Sequence, residues 1–127
     1  MIVAGFGFRK DATAADLAAV LAMALGRASL TQAEVGALAV PEAKAGKGAA
    51  GALAADLGCP VLAVPTAAMQ AAAHGCLTRS ARSEAAYGVP SVAEAVALAA
   101  AGPGARLIRP RVATAKATCA FAQGDGP

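Results

Sequence analysis

The sequence predicts an α/β fold, a three-layer α/β/α sandwich around a mostly parallel, mixed sheet of five strands. Three observations predict it. Short apolar runs alternate with segments of helical periodicity through most of the chain, the pattern of strands linked by helices that cover both faces of a sheet. The last two apolar runs, at Leu107 and Thr118, have no helix between them, so the sheet is expected to be mixed. At 127 residues the chain has the length of one domain, able to bury roughly two-thirds of the surface its unfolded form exposes.

Ile2 to Phe6 is a β-rich run that breaks at Gly7 into a polar loop, and it reads as a buried strand. Thr13-x-x-Asp16 has the form of a capping box opening a helix on Leu17, Val20, Leu21 and Leu25, which Gly26 is expected to stop. Thr31-x-x-Glu34 marks a short turn before a second strand, Val35 to Val40, ended by Pro41. A small, glycine-rich and basic stretch from Ala43 to Ala52 leads into a helical face of Leu53, Ala54 and Leu57, ended by Gly58. Pro60 to Val64 gives a third strand, and Thr66 is expected to cap a short helix through about Ala73. From His74 to Tyr87 the periodicity is weak, and most of the segment reads as loop.

The most sharply specified stretch runs from Gly88 to Leu98. Pro90 disfavours helical geometry at Val89, the Ser91 hydroxyl can accept from the Glu94 N–H, and the Glu94 carboxylate can reach back to the Ser91 N–H. That capping box opens a helix of about ten residues with Val92, Val96 and Ala99 on its apolar face, ended by Gly102-Pro103. Leu107-Ile108 and Thr118 to Phe121 supply the last two strands, with the basic Arg109-Pro110-Arg111 and Lys116 between them. Residues 1–122 read as one domain and residues 123–127 as a frayed tail.

Composition narrows the function classes. Hydrophobic residues make up 57% but aromatics only 3%, so base-stacking platforms are not expected, and contacts to a flat ligand would come from aliphatic side chains and backbone. A net charge of +3 suits an anionic partner, yet Lys and Arg are scattered rather than massed, which argues against nucleic acid. Cys59, Cys76 and Cys119 are odd in number and lack a Cys-x-x-Cys spacing, so neither a disulfide framework nor structural zinc is suggested and a reducing cytoplasm fits. The apolar run Leu17 to Leu25 is too short to span a bilayer, and no membrane association is expected.

Several residues are candidates for a site. Gly5 and Gly7 leave room for backbone to approach a ligand, although glycines also serve plain tight turns, and Lys10 stands where a dinucleotide fingerprint needs its third glycine. Arg9, Lys10, Lys44 and Lys47 follow the first two strands, whose carboxyl ends face one crevice in an open α/β sheet; four cations there suit a ligand rich in carboxylates. Singly, each reads equally well as a solvated surface charge. Ala45-Gly46-Lys47-Gly48 is not a phosphate loop, since the first glycine is replaced by Pro41 and the Ser or Thr by Gly48. His74 and Cys76 offer two metal ligands without further partners, so no metal site is assigned. Ser80, Ser83 and Ser91 lack a nucleophile-elbow context. Capping alone accounts for Ser91 and Glu94, and a capped helix N-terminus facing the crevice would also attract a carboxylate.

The reading Gly-Val-x-Ser-Val-Ala-Glu-Ala-x-Ala-Leu at Gly88 to Leu98 resembles the signature of the CobE/CbiG C-terminal-domain family of cobalamin biosynthesis. Val3 to Lys10 resembles that family's opening strand and Gly-x-Gly-x-Arg-Lys loop, and Ala117 to Ala122 its closing Val-Thr-x-Ala-x-Ala strand. Leu38 to Lys44 is similar to its second strand and following lysine, with Val40-Pro41-Glu42 in place of the usual Thr-x-Asp. The resemblance implies a free-standing protein that binds a polycarboxylate precorrin-like tetrapyrrole intermediate as carrier or accessory. Gly5, Gly7, Arg9, Lys10 and Lys44 would hold it, with Ser91 and Glu94 shaping the opposite wall. It implies no cofactor, and other enzymes of the pathway as partners. The alternative is a hydrolase or rearrangement enzyme acting on the same ligand class, with Glu94 or His74 as acid or base.

Overall fold

The computed structural model describes residues 1–45 and 48–127; Gly46 and Lys47, the centre of the rejected phosphate-loop match, lie outside the described residues. The strands are β1 (Ile2–Phe8), β2 (Val35–Pro41), β3 (Val61–Val64), β4 (Arg106–Leu107), β5 (Val112–Ala113) and β6 (Ala117–Gln123). The helices are α1 (Ala14–Ala28), α2 (Ala49–Leu57), α3 (Thr66–Ala72), α4 (Ala81–Tyr87) and α5 (Val92–Ala101). Their order in the sheet is β3-β2-β1-β6-β4, with β5 also pairing β6. β1, β2 and β3 pair in parallel, while β6 runs antiparallel to β1, β4 and β5. Only β6 is therefore reversed, as the absence of a helix before it requires.

The expected five strands are six. The additional one, β5, is two residues long and too short for a period to show. β4 and β5 pair in succession along the same edge of β6, at Gln123–Ala122 and at Cys119–Thr118, so the sheet stays five positions wide.

The alternation of side chains along β1 and β6 divides the core. Ala4, Phe6, Leu38, Val40, Cys119 and Phe121 pack against α1 and α2, while Val3, Ala37, Ala39 and Ala122 pack against α3 and α5. On the α5 side Gly5 pairs with Ala39 on one flank and Ala120 on the other. This row of minimal side chains is the floor on which α5 lies. α5 carries Ala93, Ala97, Ala100 and Ala101 and is buried on nearly every face, Ala99 alone being partly exposed. The alanine-rich composition thus has a structural use: small residues on both surfaces let the helix backbone come so close to the sheet that a β-carbon on Gly5 would not fit.

Local signals explain most boundaries, and their failures are instructive. The Thr13 box forms, Asp16 N donating to Thr13 Oγ1 at 3.1 Å and Thr13 N to Asp16 Oδ2 at 2.9 Å. α1 does not stop at Gly26 but runs two residues on to Ala28, where Ser29 takes the left-handed conformation at φ 55°. β1 does not break at Gly7 either, because its ladder with β6 continues to Phe8 opposite Ala117. Thr66 is the first helical residue of α3 and caps nothing; Pro65 holds the cap position. The segment read as loop contains α4, opened by Ser80, whose hydroxyl accepts from Ser83 N, and closed by Gly88 at φ 70°. α4 buries no residue, which is why no apolar period announced it. Residues expected to fray are tied down: Gln123 closes β6, Gly124 N donates to Met1 O at 3.1 Å and Gly126 N to Ala101 O at 2.8 Å. No helix is long and apolar enough to cross a membrane among the described residues.

Candidate functional site

Parallel β1 and β2 bring their carboxyl ends to one edge of the sheet, and the amino end of α5 lies against the same edge. A cleft of about 360 Å³ opens there. Its floor is Gly7 with Thr118 and Val92; one wall is α4, through Arg82, Ser83 and Tyr87; the other is the turn from β5 to β6, through Thr114 and Lys116. Thr114 builds that turn by accepting at Oγ1 from Lys116 N and Ala117 N, both at 3.2 Å. A β-carbon on Gly7 would come within 2.8 Å of Thr118 Oγ1 and 3.4 Å of Val92 Cβ, so glycine keeps the floor low.

The charge of the cleft has one sign. Among the described residues Arg9, Lys44, Arg82, Arg111 and Lys116 line it, and no Asp or Glu does. The one ion pair among the described residues, Arg79 with Glu84 at 2.6 Å, lies outside it, so these five cations face the cleft without carboxylate partners. Lys44 Nζ sits 4.9 Å from the centroid of the Phe8 ring, a cation–π contact at the cleft margin. Partial burial holds the Lys44 ammonium below the ordinary lysine pKa of 10.5. Arg111 also borders a smaller recess of about 120 Å³ shared with Arg27 and Arg109.

Of the seven residues that the resemblance assigned to the ligand, the structure brings three together, Gly7, Arg9 and Lys44. The other four lie elsewhere. Lys10 is exposed and does not line the cleft. Gly5 is buried under α5, where a β-carbon would collide with the Ala93 carbonyl. Ser91 is fully buried and caps α5, its Oγ accepting from Glu94 N at 3.3 Å. The Glu94 carboxylate does not return to Ser91. It is fully buried, with Oε1 accepting from Leu77 N at 2.8 Å and Thr78 N at 2.9 Å, and Oε2 from Arg111 N at 2.9 Å. A carboxylate at the third helical position needs acceptor contacts, and chain arriving from two distant loops outcompetes the local cap.

Sequence reasoning missed Arg82, Arg111, Lys116, Phe8 and Tyr87. Arg111 and Lys116 stood out as basic but had no place without β5, and Arg82 and Tyr87 had none without α4. Of three Phe and one Tyr in the chain, Phe8 and Tyr87 both line the cleft, so the scarce aromatic surface is concentrated there. His74 is exposed with Nδ1 3.1 Å from Ala71 O, and neither it nor Glu94 lines the cleft. Among the described residues no three His, Cys, Asp or Glu side chains gather as a metal site would require.

Residues 2–122 match the family model described as cobalamin synthesis G C-terminus. The crystal structure of CobE, a protein from the cobalamin (vitamin B12) biosynthetic pathway, superposes with a TM-score of 0.91 at 31% identity, covering 100% of this chain and 92% of that one. The cobalamin biosynthesis protein chiG from Agrobacterium tumefaciens gives 0.76 at 33% identity, covering 98% and 99%. A putative cobalamin biosynthesis protein G homolog from Sulfolobus solfataricus shares the fold, at 0.72 and 24% identity over 95% of this chain and 36% of that one. No curated protein matches the sequence. With the family model spanning nearly every residue and two solved relatives above 30% identity over nearly their full lengths, the chain belongs to the CbiG C-terminal family of cobalamin biosynthesis proteins.

Proposed function

We propose that the protein binds a precorrin-like tetrapyrrole intermediate in the cleft at the carboxyl end of β1 and serves as its carrier or accessory. One observation carries this reading: among the described residues, five cationic side chains and no acidic one surround a cleft that also holds two of the chain's four aromatic rings. A corrin precursor is a macrocycle with several carboxylate side chains. Its charges would meet Arg9, Lys44, Arg82, Arg111 and Lys116, with Arg gripping a carboxylate through two N–H groups and Lys acting as a mobile point charge. Its ring would lie against Phe8, Tyr87 and the bare backbone at Gly7. An exposed ion pair contributes about 0.2–1 kcal/mol, so several weak contacts acting together, rather than one anchor, would set the affinity.

The reading is tested by titrating the protein with a series of corrin-pathway intermediates, following the visible absorption band and confirming stoichiometry and ligand mass by native mass spectrometry. Binding with unchanged ligand mass, weakened about fivefold by Arg9→Ala or Lys44→Ala for the loss of roughly 1 kcal/mol each, is the expected result. A ligand mass that changes with time would replace the carrier by an enzyme. Absence of binding by every intermediate would overturn the reading and direct the search to a protein partner.

A further inference from the structure

The cleft has two walls whose attachment to the body of the protein is unusual. α4 has no fully buried residue, and its apolar contact with the core is through half-buried Tyr87. Beside Tyr87 it is held by polar contacts: Ser80 N donates to Pro90 O at 2.8 Å, Gln70 Nε2 to Tyr87 O at 3.0 Å, and Val92 N to Ser83 Oγ at 3.4 Å. The residues leading into it, Leu77 and Thr78, end on the Glu94 carboxylate. The opposite side starts at Arg111, whose backbone N–H ends on the other oxygen of the same carboxylate while its side chain lines the cleft. One buried side chain in the first turn of the most buried helix thus fixes segments from both sides of the opening.

We propose that Glu94 is the positioning residue of the binding cleft, setting the separation of α4 from Arg111 without touching the ligand. The assignment rests on the reading of the cleft as a tetrapyrrole site. Its physical basis is the bond type: a carboxylate accepting three backbone N–H groups makes charge-assisted contacts, roughly twice as strong as neutral ones. It makes them where water cannot compete, so their loss frees two loops together. Glutamine has the same shape but one acceptor oxygen, so it can serve either Leu77 and Thr78 or Arg111, and not both.

The test compares Glu94→Gln with Val96→Ala, a core truncation in the same helix that contacts neither loop's amides. The probes are amide hydrogen exchange in the ligand-free protein and the dissociation constant for uroporphyrin, an octacarboxylate macrocycle, under conditions where each variant is fully folded. The expected result for Glu94→Gln is faster exchange at Leu77 and Thr78 or at Arg111, with the strand amides unchanged, and affinity weakened tenfold or more. Val96→Ala should leave both readouts at the wild-type value. Equal weakening by the two variants, or unchanged exchange in Glu94→Gln, would reduce Glu94 to a general stabilising residue and overturn the inference. Should Glu94→Gln not fold, Leu77→Pro removes one donor from the solvent side, at a residue that is 61% exposed, and should weaken uroporphyrin binding several-fold. No effect of Leu77→Pro would then overturn the inference. Failure of the wild-type protein to bind uroporphyrin or any pathway intermediate would instead strike the carrier reading, while the exchange result would still decide whether Glu94 holds the two loops.

Discussion

Gly5 in β1 lies directly beneath Ala93 in α5, so close that a β-carbon on Gly5 would overlap the Ala93 carbonyl oxygen and come within 2.8 Å of Ala97 N. Those are backbone atoms of a buried helix and cannot turn aside as a side chain would. Gly5→Ala should therefore destabilise the protein by about 3 kcal/mol or fail to fold, the upper end of overpacking costs. A urea denaturation curve measures it. An unchanged midpoint would mean that α5 can lift from the sheet without loss, and the floor of small residues would lose its significance.

Lys44 makes both stability and binding depend on alkaline pH. Between its lowered folded-state pKa and the ordinary 10.5, the unfolded chain binds more protons than the folded one, so this residue makes stability rise with pH across that window. Binding has the opposite sign, because a polycarboxylate favours the charged amine and affinity falls as that charge is lost. Lys44→Arg stays charged throughout. Dissociation constants measured from neutrality to about pH 10 should weaken for the wild type and stay flatter for Lys44→Arg. The same alkaline loss in both proteins would assign the titration to another group.

The three thiols should separate cleanly by accessibility. Cys119 is fully buried in β6 and burial pushes its pKa far above the ordinary thiol value; Cys59 and Cys76 are half-buried, and burial raises theirs less. Ellman's reagent at neutral pH should label Cys59 and Cys76 slowly in the native protein and Cys119 only on unfolding. Rapid native labelling of Cys119 would show that β6 opens far more readily than its central place in the sheet implies.

Ser29 is the one residue other than glycine at positive φ among those described, and it caps α1 from the left-handed region. Among the described residues its side chain has no hydrogen-bond partner, so glycine should be the better occupant. Ser29→Gly is expected to raise stability by about 0.5–1 kcal/mol, read as an increase in the melting temperature. A decrease would show that the entropy glycine adds to the unfolded chain outweighs the strain relieved.

The frame of the molecule was legible because each of its signals is local. The Thr13 box, the Gly58 stop and the Ser91 cap each depend on contacts within one turn, and each formed where the sequence placed it. Part of the cleft was legible for a related reason: Arg9 and Lys44 follow adjacent parallel strands, and topology alone carries them to one edge. The remainder depends on encounters between distant segments. Glu94 had a plausible partner three residues away and was taken instead by backbone from residues 77, 78 and 111. α4 carries no buried residue and β5 has two residues, so neither produces a period, and the cations and tyrosine that they supply had no address in the sequence.

The two margins of the sheet bear on behaviour at high concentration. β3 is an outer strand of four residues set between Pro60 and Pro65, and on the far side the partner of β6 is broken into β4 and β5 with Pro110 between them. Proline offers no N–H, and runs of two to four residues make a poor template for another molecule's backbone. A chain so rich in small apolar residues would otherwise be prone to growing cross-strand aggregates. Here the protection is geometric, so it should persist at high salt, where defences built on surface charge are screened away.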